Sequence, residues 1–121
     1  MINFTIPLAP ITKKNSQRIL VNQGTKKPFI AQSEKYKQYE KECGYFIKGK
    51  GRKIDEPVTV KCIYYMPTKR RVDPTNLLEA THDILVKYEV LADDNSNIIY
   101  SVDGSRVLVD KENPRTEVEI K

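Results

Sequence analysis

Apolar and polar residues alternate in three short segments of the chain, which is the pattern of β-strands with one buried face. The first segment, residues 2–8, ends in a proline-rich stretch. The second, residues 58–66, lies between Pro57 and Pro67 and has apolar side chains at every second position. Val118 and Ile120 predict a last short strand. These segments predict a sheet with one apolar face.

Two further segments have the pattern of β-hairpins. Residues 18–31 contain two apolar runs on either side of a polar turn with Gly24. Residues 98–109 contain two apolar runs on either side of Asp103-Gly104, a dipeptide that favours a tight primed turn. We therefore expect each segment to pair with itself.

Two segments carry apolar residues at helical spacing. Ser33 is a suitable N-cap for the first, and Gly49 and Gly51 end it. The second begins at Asp73-Pro74, a capping acid followed by proline, and ends near Tyr88. The predicted buried stripes are Tyr36, Tyr39, Cys43, Phe46 and Ile47, and Leu77, Leu78, Thr81, Ile84, Leu85 and Tyr88. The chain is thus predicted to be a single α+β domain over residues 1–121, with a mixed β-sheet and two main α-helices.

Composition narrows the class of protein only in part. The 121 residues carry a formal net charge of +5 and include two distant cysteines, which match no zinc spacing and are interpreted as buried thiols. Residues 1–6 alternate like a strand and lack the apolar core of a signal peptide, and no stretch is long enough to span a membrane. We expect a cytoplasmic protein that contacts no membrane and binds no small-molecule cofactor.

The charged residues are unevenly distributed, with cations in pairs or runs and acids concentrated over residues 73–94. Lys69, Arg70 and Arg71 stand directly before the second helix. Lysines in loops also serve solubility, and composition alone does not separate that role from binding to a polyanion. Cations beside clustered carboxylates indicate phosphodiester chemistry, because cations attract phosphate and carboxylates hold Mg²⁺.

Helical spacing places Asn76, Glu79 and Asp83 on one polar face of the second helix. Asp83 lies about 15 Å along the axis from Asp73, too far to share a metal ion with it, and we assign it to solvent or an outer role. Asp94 follows the helix by six residues, which span at most about 20 Å. A return to Asp73 is therefore tight within one chain, and a site shared between two subunits would relax it.

Other interpretations of these residues are weaker. Asp73 could serve only as a helix cap. Asp93, Asn95 and Asn97 match the first ligands of a calcium-binding loop, but Ile98 and Gly104 stand where glycine and glutamate are needed. The single histidine, His82, has no nucleophile at a telling spacing and is expected on the helix surface.

The chain resembles the RusA-type Holliday junction resolvases, small endodeoxyribonucleases common in phages and prophages. The resemblance covers nearly the whole chain. It rests on the Lys13-Lys14-Asn15-Ser16 loop, the basic run 69–71, the Asp-x-x-Asn-Leu helix start at Asp73, and the later Asp93-Asp94 pair.

The resemblance implies a homodimer, Mg²⁺ dependence, and paired nicks in a four-way DNA junction during recombination or repair. It points to Asp73 and Asp94 as catalytic, metal-binding carboxylates. The family usually has a second aspartate where Thr75 stands, and often a lysine where Glu79 stands. We hypothesise that Glu79 replaces the missing aspartate as a third catalytic ligand and that Asn76 orients a ligand or a phosphate. Lys13, Lys14, Asn15, Lys69, Arg70 and Arg71 are the predicted DNA-binding residues.

Three functions remain open at this point. The first is a Mg²⁺-dependent, structure-selective endodeoxyribonuclease that resolves branched DNA. The second is a catalytically impaired junction-binding protein of the same fold, because of the departures at Thr75 and Glu79. The third is a small interaction domain whose acids only cap and solvate a helix.

Overall fold

The computed structural model describes residues 1–13 and 17–121, with the backbone alone for residues 17–19 and 29–32. It is an α+β domain with a mixed sheet and two helices, as predicted. The elements in chain order are β1 (Ile2–Ile6), β2 (Gln17–Val21), β3 (Pro28–Gln32), α1 (Glu34–Ile47), β4 (Val58–Met66), α2 (Pro74–Lys87), β5 (Ile99–Ser101), β6 (Arg106–Val109) and β7 (Arg115–Ile120).

The main sheet is built around β4, the longest strand. The strand order is β1-β7-β4, and both contacts between these strands are antiparallel, with Val118 of β7 opposite Phe4 on one side and Cys62 on the other. On its other edge β4 pairs in parallel with β5 and β6. Strands β2 and β3 form a separate antiparallel hairpin, which confirms the prediction for residues 18–31.

The predicted hairpin over residues 98–109 is wrong. Strand β5 pairs with β4 at Val58 and Thr59, and β6 pairs with β4 further along, at Ile63–Met66. The two short strands therefore follow one another along the same edge of β4. The turn between them also contacts β4, since Ser105 Oγ accepts a hydrogen bond from the Cys62 backbone N–H at 3.0 Å. The Asp103-Gly104 dipeptide favours only a local turn. Because the chain crosses over through α2 after β4, the strands that follow run parallel to β4 and pair with it rather than with each other.

Both helices begin where the sequence predicts. Ser33 Oγ accepts from the Tyr36 N–H at 3.1 Å at the start of α1, and Asp73 caps α2 with Pro74 in the first turn. The predicted stripes face the core, except that Phe46, Leu78 and Tyr88 are only partly buried. No helix in the described ranges is long and apolar enough to cross a lipid bilayer.

The core lies between the apolar face of the sheet and the two helices. Tyr64 of β4 is buried, and its hydroxyl group donates to the Leu77 carbonyl of α2 at 3.1 Å and lies 2.7 Å from Thr81 Oγ1. Both cysteines are buried free thiols, as predicted, and burial raises the pKa of each to about 12. The thiols are therefore protonated and inert at neutral pH.

The connection between α1 and β4 is fixed to the loop that follows α2. The Lys53 N–H donates to the Glu89 carbonyl at 2.7 Å and the Ile54 N–H to the Val90 carbonyl at 3.0 Å, while the Ala92 N–H donates back to the Ile54 carbonyl at 2.8 Å. This ladder holds residues 51–54 beside the segment that leads to Asp93 and Asp94.

We expect Gly51→Ala to destabilise the fold. A Cβ atom at this position would lie 2.7 Å from Val90 Cγ1 and 2.8 Å from Val90 Cα, and Val90 is fully buried. Because a backbone atom cannot move aside as a side-chain tip can, the overpacking should lower the free energy of unfolding by about 1–3 kcal/mol in urea denaturation. Gly24→Ala is the control: its Cβ would meet only Asn22 Oδ1 at 3.4 Å, and its effect should stay within about 0.5 kcal/mol. Equal effects of the two changes would contradict the packing argument.

Candidate active site and nucleic-acid interface

Asp73 caps the N-terminus of α2 and is exposed to solvent. Its Oδ1 accepts hydrogen bonds from the Thr75 N–H at 3.0 Å and from the Thr75 hydroxyl at 2.7 Å. The carboxylate thus lies at the positive end of the helix dipole and within reach of solvent. The cap alone is a sufficient structural reason for an acid here, so a catalytic role needs a test that separates the two.

The polar face of α2 runs from this cap toward the other end of the helix. Asn76 is half-buried, Glu79 is exposed and Asp83 is half-buried. Since residues three and four apart lie on the same face, these side chains form a polar strip along the helix. We call Asp73, Asn76, Glu79 and Asp83 the polar strip of α2.

Asp83 has a cationic partner from the start of the chain. Lys13 Nζ lies 2.6 Å from Asp83 Oδ2, and both side chains are about one-quarter to one-third exposed. Lys13 was predicted to contact DNA, and in this structure its charge is directed at Asp83. The predicted DNA contacts Lys14 and Asn15 lie outside the described residues.

Asp94 lies in the loop that reverses the chain after α2. The reversal begins where the N–H groups of Val90 and Leu91 donate to the Leu85 carbonyl at 2.9 and 3.3 Å. The Asp94 N–H then donates to Asp93 Oδ1 at 2.7 Å. The start of the loop is therefore held by the helix terminus, and the Asp93 side chain fixes the local conformation at the two acids.

The pKa values of the two neighbouring acids of this loop are shifted in opposite directions. Partial desolvation, a hydrogen bond with Asp93 and the negative charge of Asp83 raise the pKa of Asp94 above its usual range. The hydrogen bond from the Asp94 backbone N–H lowers the pKa of Asp93. Asp94 thus holds a proton more readily than an ordinary aspartate, first because it is partly desolvated and then because of its hydrogen bond with Asp93 and the charge of Asp83.

The charges that raise the pKa of Asp94 come from Asp93 and Asp83. The sequence interpretation had assigned Asp83 to solvent or an outer role and had placed Asp94 with Asp73. Asp73 caps α2 ten residues before Asp83, about 15 Å away along the axis. Asp83 is therefore the member of the polar strip whose charge acts on Asp94, which its ten-residue separation from Asp73 did not indicate.

The described residues contain no group of three or more histidine, cysteine, aspartate or glutamate side chains that could hold a metal ion. The predicted set of Asp73, Glu79 and Asp94 does not form such a group within this part of one chain. As a joint metal site it stays a prediction. Mg²⁺ takes most of its ligands from water and substrate phosphate, so one or two protein carboxylates suffice for it.

The basic run before α2 is open to solvent. Lys69, Arg70 and Arg71 are all exposed, and none of them forms an ion pair with a residue in the described ranges. Three adjacent cations that have no acidic partner in the described part of the chain fit a phosphate backbone better than an internal structural role.

His82 is half-buried, whereas the sequence had suggested a position on the helix surface. Its Nε2 atom is shielded from solvent and has no hydrogen-bond partner among the described residues, and burial lowers its pKa. A neutral imidazole in this position fits packing against the rest of the domain.

A family model for the endodeoxyribonuclease RusA matches residues 7–121, nearly the whole chain. The chain belongs to the RusA endodeoxyribonuclease family. It is accordingly a hydrolase of DNA phosphodiester bonds, and the RusA family acts on branched DNA junctions. The resemblance inferred from the sequence is thereby confirmed. Comparison with curated proteins gives no match.

Membership of the RusA family gives meaning to the departure at Thr75. The family usually has a second aspartate there, whereas the Thr75 hydroxyl of this chain donates to Asp73 Oδ1. The threonine therefore holds the remaining carboxylate in place and adds no negative charge. Glu79, another member of the polar strip of α2, is exposed about one turn away from Thr75.

Proposed function

We propose that this RusA-family protein is a Mg²⁺-dependent endodeoxyribonuclease that resolves four-way DNA junctions by paired hydrolysis of phosphodiester bonds in recombination or repair. The observation that carries the proposal is the polar strip of α2, which runs between the exposed cations 69–71 at one end and the Asp93-Asp94 loop at the other. A cleavage site needs carboxylates and phosphate-binding cations close together.

In this proposal Asp73, Asp94 and Glu79 are the acids that attract the divalent ion, and Asn76 orients a ligand or a phosphate. Because Asp73 and the Asp93-Asp94 loop adjoin opposite ends of α2 in one chain, we place this site between the two subunits of a homodimer. A bound ion of this kind polarises the phosphate and lowers the pKa of water. The raised pKa of Asp94 supports its part, because a partly desolvated carboxylate that also feels the negative charges of Asp83 and Asp93 is stabilised by a nearby cation.

The basic residues supply affinity without base recognition. We propose that Lys69, Arg70 and Arg71 contact the sugar-phosphate backbone, and that Lys13, Lys14 and Asn15 contact it as well. Selectivity for a junction then comes from shape. A homodimer would match the two-fold symmetry of a four-way junction and would place one cleavage site on each of two strands.

We expect wild-type protein to nick a synthetic four-way junction in Mg²⁺ and to leave it intact in EDTA. The reason is that no cationic side chain in the described polar strip can replace a divalent ion beside the scissile phosphate. Denaturing gels of end-labelled strands measure the nicks, and a linear duplex of the same sequence is the control substrate. Cleavage that persists in EDTA, or equal cleavage of the duplex, would contradict the proposal.

One observation favours a second candidate, a junction-binding protein with little cleavage. The family usually has another acid at the position of Thr75, and the Thr75 hydroxyl group only donates a hydrogen bond to Asp73. The same assay separates the two functions, since a shifted junction band without nicks in any divalent metal would support the second.

A further inference from the structure

A second cationic surface contains none of the predicted DNA-binding residues. Residues 48–53, here called the basic loop, connect α1 to β4. Four of the six residues are cations, and none of them is acidic. All four are exposed, and none forms an ion pair with a described residue; they are Lys48, Lys50, Arg52 and Lys53.

The basic loop borders an open cavity of about 570 Å³ at the C-terminal end of α2. Lys87, Tyr88 and Glu89 form the opposite wall. Cations at a helix C-terminus stabilise its dipole, but Lys87 already stands in the last turn and pairs with Glu40. Four more cations that form no ion pair with a described residue exceed what the helix end requires.

The backbone of the basic loop is held in a defined conformation. Lys53 and Glu89 both have a positive φ, 56° and 60° respectively, and the Lys53 N–H donates to the Glu89 carbonyl. Residues other than glycine rarely adopt this conformation, and they keep it only where the surroundings enforce it. The cations of the loop are thus presented from a fixed support, which reduces the entropy lost when a ligand binds.

The position of the basic loop indicates the size of its ligand. The loop lies at the C-terminal end of α2 and the cations 69–71 lie at its N-terminal end. Fourteen helical residues separate them, about 20 Å along the axis. A ligand that reaches both must be an extended polyanion, and about six base pairs of duplex DNA have this length.

We propose that the basic loop binds the phosphate backbone of a DNA arm and fixes it beside the Asp93-Asp94 loop. The hydrogen bonds of Lys53, Ile54 and Ala92 connect the two loops directly, so an arm held by one is positioned relative to the other. The inference rests on the proposed function in that the arm belongs to a branched substrate. It adds a second contact surface at the far end of α2.

The test is the salt dependence of DNA binding. The variant Lys48→Gln/Arg52→Gln/Lys53→Asn removes three charges, and asparagine tolerates the positive φ of position 53. Its control, Lys35→Gln/Lys111→Gln/Lys26→Asn, removes the same charge from exposed lysines, one of which also has a positive φ. Binding of a fluorescent four-way junction and of a linear duplex is measured in EDTA from about 0.05 to 0.3 M salt, where each lost phosphate contact lowers the slope of log K against log salt by about 0.9. Thermal melting confirms that both variants fold.

We expect the basic-loop variant to bind the junction at least about tenfold more weakly at 0.1 M salt, with a slope smaller by about 2–3, and the control to stay close to wild type. Unchanged binding by the basic-loop variant, or an equal loss in both variants, would overturn the inference. A further outcome is that wild type binds the junction and the duplex equally while the basic-loop variant loses affinity for the duplex. That result would support the contact between the basic loop and DNA and would contradict the proposed selectivity for junctions.

Discussion

Asp94→Asn should reduce junction cleavage by more than about a hundredfold while leaving the protein at least as stable as wild type. Loss of a residue that only supports a metal ligand typically costs 10–100-fold, and loss of a ligand itself should exceed that. Stability should not fall, because the pKa of Asp94 is raised by desolvation, by Asp93 and by the charge of Asp83. The ionised carboxylate is therefore unfavourable in the folded state, and a neutral amide can donate to Asp93 in its place.

The stability of this variant should depend on pH in a defined direction. A carboxyl group whose pKa is raised on folding contributes stability that is present below its unfolded pKa, near 3.9, and is lost as pH rises through its folded pKa. Wild type loses this contribution as pH rises through that window, and Asp94→Asn does not. The melting temperature of the variant relative to wild type should therefore increase from about pH 3 to pH 6.

Asp93→Asn is a control one residue away. The pKa of Asp93 is lowered, first by the hydrogen bond from the Asp94 backbone N–H, so its carboxylate is favourable in the folded state. Its stabilising contribution is present above the unfolded pKa and is lost as pH falls through the folded pKa. Asp93→Asn should thus destabilise the protein at neutral pH, opposite to Asp94→Asn. Retained cleavage by Asp94→Asn would remove this residue from the proposed site.

The second large effect is expected for Asp73→Asn, which should lose cleavage by more than about a hundredfold with an unchanged melting temperature and intact junction binding. Asparagine caps helices about as well as aspartate, and its side-chain oxygen can keep the bonds from the Thr75 N–H and hydroxyl group. It brings no negative charge to a divalent ion. The pair of measurements, gel cleavage and thermal melting, therefore separates catalysis from capping.

Asp73→Ala completes this comparison, because it removes the cap as well as the charge. We expect it to lose about 1 kcal/mol of stability in addition to cleavage. Should Asp73→Asn cut junctions at the wild-type rate, Asp73 would be a cap only. A stability loss in Asp73→Asn as large as that in Asp73→Ala would show that the negative charge itself holds α2 in place.

Sequence patterns predicted the elements of this protein well where the cause is local. Ser33 and Asp73 cap their helices through hydrogen bonds within three residues, and the alternation over residues 58–66 appears as β4 with one buried face. Family membership was predictable for the same reason, since the RusA motifs are short runs of adjacent residues. The hairpin over residues 98–109 failed because its turn signal is local while its strands pair with β4.

The residues of the chain by themselves determined the caps, the buried stripes, the acids available for chemistry and the family. Only the tertiary structure decided which charged groups act on one another. In the folded chain Lys13 forms an ion pair with Asp83, and the charge of Asp83 contributes to the raised pKa of Asp94. Backbone hydrogen bonds hold the basic loop beside the segment that leads to Asp93 and Asp94. The physical reason is that caps and periodicity act over a few residues, whereas these contacts depend on how a nine-residue strand and a fourteen-residue helix return the chain to itself.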